Sequence, residues 1–222
     1  MRPRIEQDNN IVPLFKRDTN MKDKIINDLF EYWETLRGDR LAPTRSEIDP
    51  RKIKNTLEHT FVLEAVKQGS PRFRLAGIEV CDLLGMELRG MPSHALFEKV
   101  DRQMFTDIAA DVLATPQIAE LRLQGQLAGG RHVMGRMILM PLQDEKGLLT
   151  RILGAVTLDR ELIRPPVRFT VARKNITRIV SKQSMPNGMM IEGGLGEPNY
   201  NFVRANQRPI TNGKRPGLKI VK

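Results

Sequence analysis

The chain has 222 residues, a length that allows either one domain with extensions or two small domains. Its formal net charge of +10 is unevenly distributed: residues 1–20 carry +1, residues 21–161 carry −1 and residues 162–222 carry +10. The basic charge therefore belongs to the C-terminal tail, and it does not indicate that the near-neutral central part binds nucleic acid.

Cysteine content and hydropathy restrict the compartment. The single cysteine, Cys81, allows no internal disulfide and no cysteine metal cluster, which is typical of a reducing compartment. No segment approaches the roughly 18 consecutive apolar residues that span a bilayer. The first twenty residues also lack the apolar stretch and cleavage site of a secretory signal. We therefore expect a cytoplasmic protein without a membrane span.

The N-terminal part is predicted to be an irregular arm followed by a helix. Residues 1–19 mix Pro, Asn and charged residues without periodicity, whereas Asn20 can cap a helix over 21–38 that ends at Gly38. Apolar residues in that segment recur at spacings of three and four: Ile25, Ile26, Leu29, Phe30, Trp33 and Leu36. This apolar stripe either packs on its own domain or forms a dimer or partner surface.

The next segment alternates short helices with a hairpin. Asp49 followed by Pro50 predicts a short helix, because a capping residue then precedes a proline at the first helical position. Residues 60–66 and 72–76 are predicted to pair as a hairpin, with Phe73 and Leu75 alternating with arginines. A short helix over 78–84 and a longer one over 99–114 follow.

Residues 117–159 are predicted to form three consecutive antiparallel strands. Leucines alternate with polar residues along the first strand, which indicates one buried face. A Gly129-Gly130 turn leads to the second strand, which is apolar on both faces, so its second face contacts something other than water. The third strand covers about 151–159.

Helix, two strands, several helices and three strands in this order predict an α+β fold with one antiparallel sheet of five strands and helices packed on one face. We divide the chain into an irregular arm (1–19), a domain (20–161) that includes the N-terminal helix, and a basic, largely disordered tail (162–222). Within the tail, residues 167–180 fit either a helix or a strand. Past residue 182, Gly, Asn and Pro indicate disorder.

The order of elements resembles that of a PAS domain. Several short stretches strengthen the resemblance: Tyr32-Trp33, Leu36-Arg37-Gly38, Pro43-Thr44-Arg45, Ile48-Asp49-Pro50, Arg72-Phe73-Arg74-Leu75-Ala76-Gly77, Gly85, Glu87, Leu88 and Gly90. They resemble a PAS family of stand-alone proteins in alphaproteobacteria, over roughly residues 26–161. The resemblance implies a non-enzymatic signalling module that senses small ligands between sheet and helices and acts by dimerising or by docking to other proteins.

Two sets of residues are candidates for such roles. Apolar residues expected to line a cavity between helices and sheet are Cys81, Leu84, Met104, Ile108, Leu121, Leu123, Met137, Leu139, Val156 and Leu158. They either hold a small apolar ligand or form a filled core. Residues expected at an interface are Ile26, Phe30, Trp33, Ile138, Met140 and Leu142.

Catalytic and metal chemistry has little support in the sequence. The histidines His59, His94 and His132 are scattered, without a second ligand at helical or hairpin spacing, so we predict no metal site. His94 is a weak haem candidate, because some PAS domains hold haem through a histidine in the helical segment. Cys81 lacks the sequence context of the reactive cysteine in flavin-binding PAS domains and fits a buried, inert thiol.

The favoured function is a PAS sensor and interaction module that relays a regulatory signal to other signalling proteins, with a homodimer and a small apolar ligand as open possibilities. The alternative is a nucleic-acid-associated regulator in which the basic tail contacts nucleic acid or another acidic surface and the core dimerises. The cofactor is left unknown.

Overall fold

A computed structural model describes residues 21–67, 69–127, 130, 132–160 and 165–180. The predicted arm over 1–19, most of the predicted tail and Gly129 of the predicted turn lie outside these residues. The three α-helices of the described part are α1 (Met21–Arg37), α2 (Ile78–Asp82) and α3 (Arg102–Ala114), and its six strands are β1 (Thr60–Glu64), β2 (Arg72–Ala76), β3 (Gln117–Gln126), β4 (His132–Gln143), β5 (Leu149–Leu158) and β6 (Phe169–Arg178).

Short 3₁₀ helices complete the connections. Three of them, Arg45–Glu47, Pro50–Ile53 and Leu57–His59, lead from α1 to β1, and a fourth covers Ser93–Leu96. The Asp49 side chain accepts a hydrogen bond from the Arg51 backbone N–H at 3.0 Å, so Asp49 caps the second of these as its sequence predicts. In the part of the chain that the structure describes, no helix has the length and apolar character needed to cross a membrane.

The strands form one antiparallel sheet in the order β2-β1-β5-β4-β3-β6. The predicted α+β class and antiparallel sheet are confirmed, but the sheet has six strands rather than five. The sixth strand comes from the predicted tail, where residues 167–180 had fitted a helix or a strand. It pairs with β3, and its first residue Phe169 and the preceding Val167 are fully buried. This burial stabilises a strand whose other residues are mostly polar or basic.

The sheet separates two apolar clusters. On its inner face, α2 and α3 cover β1 to β5 and the start of β6, and we call the buried residues there the inner cluster. On its outer face, α1 and the segment 42–53 cover the other sides of β1, β3, β4 and β5, and we call this the outer cluster. β4 belongs to both clusters because it is apolar on both faces, as the sequence indicates.

A bulge in the first hairpin changes which side chains share a face. Val62 pairs with Leu75 and Leu63 pairs with Phe73, so Arg74 is the extra residue. Phe73 is 2% exposed in the inner cluster, whereas Leu75 is 50% exposed on the outer side. Simple alternation places these two residues on one face, and that expectation is wrong.

Candidate functional site

All ten predicted cavity residues lie in or against the inner cluster. Eight are buried there, and Cys81 and Met104 are partly buried at its border. Cys81, Leu84, Met104 and Ile108 come from the helical side, and the other six residues come from β3, β4 and β5. The sheet and the helices therefore bring together one apolar region from segments up to 77 residues apart in the sequence, namely from Cys81 to Leu158.

Aromatic side chains close two sides of the inner cluster. Phe97 and Phe105 stack with ring centroids 4.1 Å apart, and Phe61 and Phe73 meet edge to face at 5.7 Å. Phe61 lies directly against Gly154, where a Cβ atom would be 2.4 Å from the ring. The contact between Phe61 of β1 and Gly154 of β5 is thus tightly packed, whereas Cys81 and Met104 are only partly buried at the border of the cluster.

The six predicted interface residues all lie in the contact between α1 and the outer sheet face. Five of them are fully buried there and Phe30 is partly buried. Trp33 is fully buried, and its indole Nε1 donates a hydrogen bond to the Pro141 carbonyl oxygen at 2.9 Å. Of the two alternatives for the apolar stripe, the structure shows packing on its own domain. These side chains are covered by one another, so they form no exposed docking surface in this arrangement.

A polar cluster borders α1 on the side of β3 and β6. Asp23 forms a largely buried ion pair with Arg136 of β4. Glu120 of β3 is partly buried, and burial raises the pKa of its carboxyl against the opposing attraction of Arg136 and Arg122. One carboxyl oxygen of Glu120 and the side-chain oxygen of Asn27 are buried without a hydrogen-bond partner. The sequence reasoning missed this cluster, because strand alternation predicts a solvated position for Glu120.

Three arginines stand side by side on the outer face. Arg173 is opposite Arg122, and Arg122 is opposite Arg136, so one register row crosses β6, β3 and β4. Directly opposite side chains on neighbouring strands have Cβ atoms about 5 Å apart, a distance at which like charges repel. Arg136 is compensated by Asp23, whereas Arg122 and Arg173 are exposed. The row joins one arginine of the basic segment 162–222 to two arginines of the near-neutral segment 21–161.

The histidines and the cysteine lie on different elements. His94 is in the 3₁₀ helix Ser93–Leu96, where burial and the nearby charge of Arg102 lower its pKa. His59 ends another 3₁₀ helix, and His132 begins β4 with its Nδ1 3.3 Å from Gln124 Nε2. Among the described residues there is no group of three or more His, Cys, Asp or Glu side chains that could hold a metal ion.

An apolar groove of about 220 Å³ opens on the outer side next to β2. One wall is the 3₁₀ segment before β1, and the other is the sheet from Leu153 to Leu75. Sequence reasoning missed this groove because it depends on the bulge that turns Leu75 outward. An available signal was the concentration of apolar residues, Ile48, Ile53 and Leu57, in a segment without regular periodicity.

Comparison with known proteins agrees with the order of elements. The model of a family described as PAS domain matches residues 21–157, which is more than half of the chain. The chain belongs to this PAS domain family. The match ends before β6, so the sixth strand lies outside the segment that defines the family. No curated protein matches the sequence significantly.

Solved structures with a similar fold are only distantly related. A light-oxygen-voltage protein of Rhodobacter sphaeroides is 14% identical, with a TM-score of 0.37, 50% of this chain and 69% of that chain covered. The VqmA–ligand–DNA complex of Vibrio cholera is 12% identical, with a TM-score of 0.37, 51% of this chain and 52% of that chain covered. A PAS domain from Colwellia psychrerythraea is 15% identical, with a TM-score of 0.34, 51% of this chain and 98% of that chain covered. These similarities are too remote to carry an argument about function.

Proposed function

We propose that the protein is a non-enzymatic PAS sensor and interaction module that relays a regulatory signal through protein contacts. The observation that carries the proposal is the double use of β4 and β5. These strands form the floor of the inner cluster and, through alternate residues, the surface on which α1 sits. Leu139 faces the inner cluster while its neighbours Ile138 and Met140 face α1.

This arrangement suits relay of a signal because close-packed interiors transmit small displacements. A small apolar ligand that enters between the helices and the inner face displaces side chains on β4 and β5. The same strands then change how Trp33 and its neighbours are seated. A partner protein that contacts α1, or that competes with α1 for the outer face, responds to the change. Cys81 and Met104, at the partly exposed border of the inner cluster, mark the expected entry side.

Native mass spectrometry of gently purified protein tests the ligand part of this proposal. We expect an additional mass that is released on denaturation. Bare polypeptide mass in repeated preparations from the native host would contradict a retained ligand.

Affinity purification with nuclease-treated extracts tests the interaction part. The full chain and a variant without residues 181–222 serve as baits, because this deletion leaves the described sheet complete. We expect both baits to recover the same partner proteins. Recovery that requires both the tail and intact nucleic acid would instead support the alternative below.

The alternative function is a nucleic-acid-associated regulator, and one observation favours it. β6 and the residue before it place four basic residues on the folded sheet, Arg168, Arg173, Lys174 and Arg178, and all are exposed. Arg173 extends the arginine row formed with Arg122 and Arg136. Arginines at this spacing are suited to phosphate groups, each contact releasing counterions from the nucleic acid.

The salt dependence of DNA and RNA binding tests the alternative. Replacing Arg173 and Lys174 by Gln removes two cations from exposed positions, so we expect the slope of log K against log salt concentration to fall by about 1–2. Deletion of residues 181–222 is the comparison variant. If that deletion alone abolishes binding and the double replacement has no effect, the sheet is not the contact surface.

A further inference from the structure

The groove beside β2 has the properties of a small-molecule site. Its lining is mostly apolar and comes from two separate parts of the chain. The first wall is made by Arg45, Ile48, Pro50, Ile53 and Leu57, and the second by Thr60, Phe61, Val62, Leu75, Ala76, Gly77 and Leu153. Leu75 and Leu57 are 50% and 37% exposed, so apolar area remains in contact with water there.

Local hydrogen bonds hold the first wall in place. The Tyr32 hydroxyl of α1 accepts a hydrogen bond from the Asp49 backbone N–H at 2.9 Å. At the other end, Leu57 packs on Gly77 so closely that a Cβ atom on Gly77 would be 2.2 Å from the Leu57 carbonyl oxygen. The wall is therefore fixed at both ends, and the groove is a feature of the folded chain rather than of one side-chain rotamer.

One charged group lies at the groove. Arg45 lines it and is partly buried, and its guanidinium makes no hydrogen bond or ion pair within the described part of the chain. Neighbouring charged side chains are matched instead: Arg40 pairs with Glu47 at 2.9 Å, and Arg51 pairs with Asp49 at 3.0 Å. Arg45 is thus left with unused donors beside an apolar surface, which complements an anionic group on an apolar molecule.

We propose that this groove binds a small amphipathic acid, with an apolar body between the two walls and a carboxylate paired with Arg45. A cavity of 150 Å³ is known to accept benzene, so about 220 Å³ accommodates roughly eight to twelve non-hydrogen atoms. A molecule of that size has an expected Kd of about 0.05–1 mM. The groove opens on the outer side and shares only Phe61 and Ala76 with the inner cluster and its border. The inference goes beyond the sensor function proposed above and does not depend on a ligand in the inner cluster.

Occupancy of the groove has a direct route to α1. The ligand contacts Ile48 and Pro50, which flank Asp49, and Asp49 is hydrogen-bonded to Tyr32 of α1. Leu153, at the base of the groove, also belongs to the outer cluster beneath α1. If the ligand binds more tightly when α1 is packed on the sheet, its binding stabilises that packed position of α1.

A head-group series on one alkyl chain tests the proposal. Octanoate, octan-1-ol and octylamine, below their aggregation concentrations, are titrated into the ¹⁵N-labelled full chain, and amide shifts are followed by NMR. We expect saturable shifts along 45–57, 60–62 and 75–77. Octanoate should bind about three- to tenfold more tightly than octanol, because one charge-assisted contact with the partly buried Arg45 is gained, and octylamine should bind most weakly.

Two pairs of matched variants locate the site. Arg45→Gln should lower octanoate affinity to that of octanol and leave octanol binding unchanged, whereas Arg89→Gln, at an exposed arginine outside the groove, should change neither. Leu75→Trp should fill the groove and abolish binding of all three probes. Leu148→Trp is its control, since Leu148 is 59% exposed outside the groove. Circular dichroism melts establish that each variant is folded.

The proposal is overturned if octanoate causes no saturable shifts, if the shifts are confined to inner-cluster residues such as Leu121 and Leu139, or if Arg45→Gln leaves octanoate affinity unchanged. Shifts in the inner cluster alone would support the sensor function and refute the groove. If Leu75→Trp does not fold, Arg45→Gln still decides, because the guanidinium of Arg45 makes no hydrogen bond or ion pair among the described residues.

Discussion

Replacing Trp33 by Phe measures how firmly α1 is attached to the sheet. Trp33 is fully buried, and its indole N–H satisfies the Pro141 carbonyl at 2.9 Å. Phenylalanine leaves that buried carbonyl without a donor, which costs about 1–3 kcal/mol. The smaller ring also leaves unfilled space worth about 1 kcal/mol, since complete truncation of a buried aromatic costs about 3–5 kcal/mol. We therefore expect Trp33→Phe to lower the free energy of unfolding by about 2–4 kcal/mol.

The assay is thermal unfolding followed by far-ultraviolet circular dichroism, because the variant removes the only tryptophan. A loss of this size lowers Tm by about 5–15 °C in a domain of this length. Tyr32→Phe is the matched control on the same helix. The Tyr32 hydroxyl is partly exposed, and water can replace its contact with the Asp49 N–H, so we expect a loss below about 1 kcal/mol.

Equal and small effects of the two replacements would refute the reasoning. They would show that α1 contributes little to the cooperative unfolding unit and that the outer face is accessible in solution. That result would also return Ile138, Met140 and Leu142 to the status of docking residues. In the unmodified protein, fluorescence of Trp33 gives an independent check, because unfolding should shift its emission to longer wavelength as the ring meets water.

Three further predictions concern packing and pH. Gly154→Ala should lower the free energy of unfolding by about 1–3 kcal/mol, because the new methyl group would be 2.4 Å from the ring of Phe61. Part of this loss should be recovered in the double variant with Phe61→Leu. An unchanged Tm of Gly154→Ala would contradict the prediction. Glu120→Gln should raise Tm at pH 7–8 and have less effect near pH 4. Burial raises the pKa of Glu120 in the folded state. The contribution of Glu120 to stability is therefore present below the ordinary pKa of 4.5 and is lost as pH rises through the folded-state pKa. An equal change at all pH values would argue against this cause. Glu47 has its pKa lowered to about 2, chiefly by the hydrogen bond from Arg40. The stabilisation that ionised Glu47 provides is therefore present above pH 4.5 and is lost as pH falls toward 2. Glu47→Gln should remove this pH dependence, a change of less than about 1 kcal/mol in the free energy of unfolding because the pair is partly exposed. A pH dependence of Tm equal to that of the unmodified protein would oppose this prediction.

Periodicity carries much of the fold. Two-residue alternation in β3, β4 and β5 and three-to-four spacing in α1 are local patterns, and each buries the predicted face. The apolar second face of β4 also indicates an external cover, and α1 provides it. Such patterns work because burial acts on every residue of a regular element in the same way.

The parts that sequence reasoning missed depend on contacts between distant or irregular segments. β6 pairs with β3 from 44 to 61 residues away, and only the start of the strand is fully buried. The outward position of Leu75 follows from one extra residue in the hairpin, which no alternation pattern reveals. The candidate cavity residues were brought together by the fold, whereas the groove required the exact placement of a 3₁₀ segment over a neighbouring strand.

The position of β6 has a practical consequence for how the domain is cut. The family match ends at residue 157, yet Val167 and Phe169 are fully buried, and a Cβ atom on Gly125 would be only 2.6 Å from Val167. The Val167 N–H also donates to the Leu83 carbonyl at 2.6 Å. A fragment that stops at Asp159 would lack Val167 and Phe169. It would therefore expose the apolar surface that these two residues cover, together with the unpaired backbone of β3, a combination that promotes self-association. We therefore expect the minimal folding unit to extend to about residue 180, beyond the segment that the family model matches.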